Sequence, residues 1–329
     1  MDVYYYKSNQ PNLGDDLNAW IWQRLIPERL AMSDDTVMLG IGTIIGQRLP
    51  AATRRIIFTS GLGYNPNIPD VHEAGWQVLA VRGPLTASIL GLSPEVAVTD
   101  GAILISLFPE LVTSPEDRYG TVFVPHISAA RAVDWRPICT AAGIEYLDPR
   151  GDHFSVLKRI GSARLVLADA MHAAIIADSL RVPWIPLSSS AEINTFKWLD
   201  WTLSMGVPYL PVELPKLSIL QWLHSLVIAA TVQRHRMRTS DASEILESHR
   251  AFLRHKRRWE SMPTRYLGWG LLKIYNRLLR GNRLAAARFN KREIVDRLQL
   301  LATQQGYLSE DKIFELRRRE LLRRLETLK

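Results

Sequence analysis

The 329-residue chain has a single cysteine, Cys139. One thiol excludes an intrachain disulfide framework and any cysteine-based zinc cluster, and it fits a reducing compartment. Cys139 lies in WRPICTAAG, a helical pattern in which a buried cysteine acts as a small hydrophobe. Long hydrophobic runs are also missing, and no stretch of about 18 uncharged apolar residues is present to form a transmembrane helix. The nearest, LSILQWLHSLVIAATVQ (217–233), is interrupted by Gln221, His224 and Gln233 and reads as a core or membrane-surface helix. MDVYYYKSNQ lacks a basic start followed by an apolar core, so no signal peptide is expected. Several cofactor motifs are absent too. No GxGxxG opens a helix after a strand, and neither GxxxxGK[ST] nor HExxH occurs. LGIGTIIG (39–46) has only the weaker spacing GxGxxxG. These gaps argue against a nicotinamide enzyme, a P-loop enzyme and a zinc protease.

What is present fits a globular protein with a sizeable core: 47% apolar residues and 22% charged. At roughly 100–200 residues per domain, the length allows two domains plus an extension. The net charge of +8 is unevenly placed. Residues 216–329 hold 25 Lys+Arg against 11 Asp+Glu, and residues 1–215 hold 16 against 22. An acidic front and a basic back point to a polyanionic partner for the back.

The front reads as alternating strands and helices. VYYYK (3–7), TVMLGIG (36–42), RIIFTSG (55–61), WQVLAVRG (76–83) and VAVTDGAIL (96–104) are strand patterns, with helices at 17–26 and 84–91. After SPEDRYG (114–120) the alternation restarts with TVFVPH (121–126), a helix over 130–143, IEYLDP and a helix over 153–163. RLVLA, AMHAAIIADSL and VPWIPL (164–187) then form a strand, helix and strand. This predicts an α/β protein with two doubly wound, Rossmann-like domains, 1–115 and 116–211, facing a cleft. From about 212 the strands vanish, and 212–329 reads as a basic helical extension carrying RHRMR (234–238) and RHKRRW (254–259).

Ligands of open α/β sheets bind beyond the carboxyl ends of the strands. Asp15 and Asp16 follow the first strand, Arg82 and Thr86 follow WQVLAV, and Asp100 follows VAVT. His126 follows TVFVP, and Asp169 and His172 follow RLVLA. One of the two N-terminal acids suffices to cap the helix that follows. His172, in the first turn of a helix that continues AAIIA, sits at the rim of the buried face.

The ordered set NLGDDLN, VRGPLT, TDGAIL, LVLADAMHAAIIADSLRVPWIPL and NTFKWLDW, spanning roughly residues 3–210, resembles the polysaccharide pyruvyl transferase family. The likeness is to bacterial exopolysaccharide ketal transferases of the succinoglycan and xanthan type. It implies a GT-B-like pair of Rossmann domains, phosphoenolpyruvate as donor, and a sugar acceptor, often lipid-linked, bridged by a pyruvate ketal. That scheme requires no cofactor or divalent metal, and the carboxylates are not clustered at ligand spacing. The family's Asn-x-Gly-Asp signature falls on Asn12, Gly14 and Asp15, and its Arg-x-x-x-(Ser/Thr) motif on Arg82 and Thr86. The Asp-(Pro/Gly)-Ala segment falls on Asp100, and the acidic-x-(Leu/Met)-His-Gly motif on Asp169, Met171 and His172. Two departures stand out: Asp169 where glutamate is common, and Ala173 where glycine is usual.

Ketal transfer needs a general acid, a general base and cations for a phosphate and a carboxylate. Arg82 suits bidentate capture of either anion, and His172 at a helix N-terminus suits phosphate. Lys197 in NTFKW is a further clamp candidate. Asp15 is the expected base, Asp16 the helix cap, and Asp100 or His126 the acid. In the back, Arg is interleaved with Trp222, Trp259 and Trp269, which suits an anionic membrane surface at the cytoplasmic face of the inner membrane. Packing on the core is the plainer reading of the same helices. No helix-turn-helix, RNA-recognition or zinc-finger pattern supports nucleic acid as partner. Two other functions remain open: a GT-B nucleotide-sugar glycosyltransferase and a non-catalytic component of a polysaccharide assembly complex.

Overall fold

The apolar runs become two parallel sheets in the computed structural model, which describes residues 1–7, 11–32, 34–63, 65–217, 219–231, 236–237, 239–262, 266, 268, 270–271, 273–274, 277 and 290–328. The first sheet takes β1 (Asp2–Tyr4), β2 (Thr36–Leu39), β3 (Arg54–Phe58) and β4 (Trp76–Ala80) in the order β1-β2-β3-β4. The second takes β5 (Tyr119–Val124), β6 (Glu145–Tyr146), β7 (Ala163–Ala168), β8 (Trp184–Ser188) and β9 (Val212–Glu213) in the order β6-β5-β7-β8-β9.

Only the second sheet is doubly wound. From β5 the chain steps outward to β6, then returns to β7 on the other side, which creates a switch point between β5 and β7. The first sheet advances in one direction, so the expectation of two doubly wound sheets is corrected to one. The strand expected at 96–104 is also absent. Ala97 makes a single bridge to Val81, and a 3-10 helix follows at Gly101–Leu107. The reason is local, because the Asp100 carboxylate accepts the Ala102 N–H at 3.0 Å and turns the backbone out of extension. Strands also do not vanish at 212, since β9 joins the sheet edge and Tyr307 pairs with Trp184.

Helices α1 (Leu13–Leu25), α2 (Pro27–Ala31) and α3 (Pro84–Ile89) belong to the first half. The helix expected over 130–143 is split into α4 (Ile127–Ala132) and α5 (Arg136–Ala141). Pro137 near the start of α5 has no N–H to continue the earlier helix, so a new one begins there. Then come α6 (His153–Gly161), α7 (Met171–Ser179) and α8 (Thr195–Met205). The largest buried cluster joins the halves: Met38 and Phe58 of the first sheet, Val124 and Ala168 of the second, and Ile103 between them. α7, which places Ala173, Ala174 and Ala177 in this shared cluster, packs on the 101–107 helix.

The C-terminal segment is built into this core. It carries α9 (Ile219–Ala230), α10 (Ala242–Ser261), α11 (Lys291–Ala302) and α12 (Asp311–Glu326). Ile294 and Leu298 of α11 join the second sheet's cluster, and Phe314, Leu321 and Leu325 of α12 join the shared core. Arg324 donates to the carbonyls of Leu79 and Glu95 in the first half, and Ser309 donates to Asp178 in the second. Trp269 and most of RHRMR lie outside the described residues. No helix among the described residues is long and apolar enough to cross a membrane.

Candidate functional site

A cavity of about 670 Å³ opens at the carboxyl ends of β1, β2, β5, β7 and β8, at the β5/β7 switch point. Six of the expected residues line it: Asn12, Gly14, Asp15, His126, His172 and Lys197. Four others stand behind its wall with no solvent exposure: Arg82, Thr86, Asp100 and Asp169.

The first turn of α1 forms one side of the cavity. Asn12, not Asp16, is the N-cap, and the Asp16 carboxylate instead reaches back from the first turn to accept the Asn12 N–H at 2.7 Å. Asp15 is thereby left to face the cavity, where its carboxylate accepts from the Asn12 side-chain amide. Burial pushes the Asp15 carboxyl up to about 6, against the opposing pull of Lys197 and the Asn12 hydrogen bond. The turn is held by Asn18, a residue that sequence reasoning missed. Its amide oxygen accepts from Ile41 N and Trp22 Nε1 at 2.8 Å, and its nitrogen donates to Ile41 O and Asp15 O. All four of its hydrogen bonds are therefore made. The only sequence signal was its place as the last residue of NLGDDLN. Gly42 of the GxGxxxG stretch turns with φ +125° directly beside the Asp15 carboxylate, a conformation other residues rarely adopt.

Gly14 is required by contact. The His172 ring lies against its Cα, and a Cβ there would overlap Nδ1. Alanine is the better helix former by about 1 kcal/mol. That gain offsets part of an overpacking cost of about 1–3 kcal/mol. Gly14→Ala is therefore expected to fold with a modestly lowered melting temperature while displacing the imidazole, with the larger loss appearing in turnover. An active, unaltered Gly14→Ala enzyme would show that the ring's position is immaterial.

His172 leads α7 and faces Asp100 across the gap between the halves, with Nε2 3.8 Å from Asp100 Oδ2. Neither atom has a hydrogen-bond partner among the described residues. Burial holds the His172 imidazole down to about 3, with Lys197 and Arg82 adding to the effect, so its neutral form is favoured. Burial raises the Asp100 carboxyl to about 6, opposed by the Ala102 N–H and by Arg82. Ala173, which stands where the family has glycine, is buried in the core at the cavity's edge.

Arg82 is not the open clamp that the sequence led us to expect. Its Nε meets Asp200 Oδ2 at 3.2 Å, Nη1 donates to Thr43 Oγ1 at 2.8 Å and Nη2 to Leu62 O at 2.7 Å. Gly61 makes room for the guanidinium, because any Cβ would strike it. Thr86 donates to the same carboxylate at 2.6 Å, and Asp200 accepts the Leu85 and Thr86 N–H groups, capping α3. Arg82 therefore reaches the cavity only through Thr43, which lines it. Asp169 is similarly committed. It accepts from His126 N, Ser189 N and Ser189 Oγ at 2.6–2.8 Å, tying together the ends of β5, β7 and β8. His126 lines the cavity while its Nδ1 caps α4 beside Ser128. Two further lining residues, Lys256 and Glu260, come from α10 and were not foreseen. Among the described residues no group of three or more His, Cys, Asp or Glu is arranged as a metal cluster.

The cavity thus sets two carboxyls of raised pKa and a neutral imidazole beside lysine charge, an arrangement suited to moving protons near an anion. No family model and no solved structure matches the chain. Over 218 residues it is 41% identical to the succinoglycan biosynthesis protein ExoV of Rhizobium meliloti (strain 1021), covering 65% of this chain and 68% of that protein. With that identity and coverage, the chain belongs to the polysaccharide pyruvyl transferase family.

Proposed function

We propose that the protein transfers pyruvate from phosphoenolpyruvate onto two hydroxyls of a sugar in a lipid-linked exopolysaccharide repeat unit, forming a ketal and releasing phosphate. One observation carries this reading: Asp15 from the first half and His172 from the second meet in one cavity with Lys197, and Asp100 stands directly behind the imidazole. The relative's role in succinoglycan biosynthesis supports an exopolysaccharide acceptor. The two halves then act as a GT-B-like pair around the cleft, with the donor as substrate and no cofactor.

The chemistry requires a proton on the donor's methylene carbon, attack of a first hydroxyl on C2, loss of phosphate and closure by the second hydroxyl. A bound anionic donor offsets the lysine and arginine charge around His172 and raises its proton affinity, with Asp100 stabilising the imidazolium. The Asp100–His172 pair then supplies the proton to carbon. Asp15, poised near pKa 6, takes the first hydroxyl's proton. The second hydroxyl's proton leaves with the phosphate, so the two protons lost by the sugar balance those gained. Lys197 and Thr43, the latter held by Arg82, stabilise the departing anion.

Phosphate release from phosphoenolpyruvate that depends on lipid-linked oligosaccharide, with pyruvyl mass gained by the acceptor, tests the reading. Nucleoside diphosphate release from a sugar nucleotide would instead identify a glycosyltransferase, and neither reaction would leave a non-catalytic component.

The same proposal puts the chain at the cytoplasmic face of the membrane as a peripheral protein. In support, α9 exposes Trp222, Leu223 and Leu226 on one face, at 54%, 42% and 48% of their surface, within the basic part of the chain. The protein is expected to float with vesicles containing anionic lipid and not with neutral ones, and Trp222→Ala with Leu226→Ala is expected to abolish flotation. Equal recovery on both vesicle types removes the electrostatic attraction.

A further inference from the structure

We infer that His126 serves the cavity as a neutral hydrogen-bond donor through Nε2, a state fixed by Ser128 and Ser190, which act as positioning residues. That the group receiving this N–H is an anionic oxygen of phosphoenolpyruvate rests on the pyruvyl transfer reading above. The tautomer and its cause do not.

His126 follows β5 and is the N-cap of α4. The Asp169 carboxylate accepts its backbone N–H at 2.8 Å, which fixes the main chain at the strand end. The side chain does the capping, because the Ser128 N–H donates to Nδ1 at 3.3 Å. A backbone amide can only donate, so Nδ1 must accept. In a neutral imidazole the hydrogen then sits on the other ring nitrogen, Nε2.

The neighbouring hydroxyls follow from that one fixed direction. Ser128 Oγ lies 2.7 Å from Nδ1, and facing an accepting nitrogen it must donate its single hydrogen. It has no second hydrogen to give Ser190 Oγ, 2.9 Å away, so Ser190 donates to Ser128. Ser190 Oγ in turn accepts the Glu192 N–H at 3.2 Å. The bonds therefore run one way, from the Glu192 N–H through both hydroxyls to Nδ1, and bonds aligned in this manner polarise one another. The far end is anchored twice. Arg236 donates to the Ser190 carbonyl, and Asp169 holds the N–H and hydroxyl of Ser189.

His126 lines the cavity, and the sequence alone left it as a candidate acid. An imidazolium needs a second proton on Nδ1, where it would meet the Ser128 N–H head-on and force the Ser128 hydroxyl to turn round. The arrangement instead suits a donor that stabilises charge on an oxygen without giving up its own proton. Proton transfer is then left to Asp15 and the Asp100–His172 pair.

The test uses the full chain with isotope-labelled histidine, the His126 signals being assigned by their loss in His126→Gln. Without substrate and near neutral pH, long-range proton–nitrogen correlation spectra are expected to show the Nε2-protonated tautomer. An Nδ1-protonated ring or an imidazolium overturns the inference, whether or not pyruvyl transfer occurs. Ser128→Ala is expected to raise the share of the Nδ1-protonated form and to lower kcat by about three- to tenfold, the worth of one hydrogen bond, with Ser128→Thr restoring both. Unchanged ring signals in Ser128→Ala overturn the positioning role, even if kcat falls. His126→Gln, whose amide can still donate, is expected to keep more turnover than His126→Ala when both are assayed folded. Equal loss in the two variants overturns the neutral-donor role.

Discussion

Asp100→Asn is expected to lower turnover by about 10²- to 10⁴-fold while making the protein more stable at alkaline pH. The turnover loss follows from Asp100's place behind His172, where the carboxylate steadies an imidazolium and an amide does not. The stability gain follows from linkage. Burial raises the Asp100 carboxyl from 3.8 to about 6, so the folded state prefers the protonated form. That contribution is present below about pH 4 and is lost as pH rises through about 6, where an ionised group must be kept out of water. Two pH units correspond to about 3 kcal/mol. Asparagine keeps the Oδ1 that caps Ala102 and never ionises. The variant's advantage in urea denaturation should therefore be near zero at pH 4 and reach about 3 kcal/mol at pH 8. Groups such as Asp34 and Glu320, whose carboxyls are held at about 2 by arginines, slope the other way but are common to both proteins and cancel in the difference. A variant with full activity, or one whose advantage does not grow with pH, would remove Asp100 from the mechanism.

The second large effect lies in stability. Asp200→Ala is expected to cost about 3–5 kcal/mol, because it leaves the Arg82 guanidinium buried without a counter-ion. The same carboxylate also caps α3 and accepts from Thr86, so the helix start and the threonine hydroxyl lose partners together. Adding Arg82→Met should restore part of the loss, since removing both charges avoids the uncompensated one. Denaturation of the single and double variants checks this. A single-variant cost below about 1 kcal/mol would mean that the pair is not what holds the two halves in register.

These two carboxylates differ in how visible they were in the sequence. Asp100 was legible because TDGA follows an apolar run, and chemistry-bearing residues gather at strand ends. His172, Asp15 and His126 were found in the same way. Asp200 was not singled out, although it lies three residues past Lys197 in NTFKWLDW. Its importance comes from Arg82, 118 positions away, and no local periodicity encodes that pairing. For the same reason Arg82 looked like a free clamp. A guanidinium's partners decide whether it binds ligand or holds the fold, and those partners come from tertiary contact. β2, β3 and β4 were legible as apolar runs closing on glycine, and β7 and β8 as apolar runs flanking a helix pattern, but the winding of the first sheet was not, because every parallel strand reads alike whichever neighbour it takes. Lys256 was hidden for a third reason. Within RHKRRW it is one cation among several, and only the docking of α10 distinguishes it.

The lacing of α12 onto the first sheet has a consequence for biosynthesis. A ribosome releases Leu79 and Glu95 long before it reaches Arg324, which donates to both carbonyls. Until Phe314, Leu321 and Leu325 emerge, the nascent chain carries an apolar flank that α12 later covers. Vectorial synthesis therefore leaves the two sheets waiting on a helix made more than 200 residues after Glu95. Chains stalled or clipped before residue 311 are natural clients for holdase chaperones.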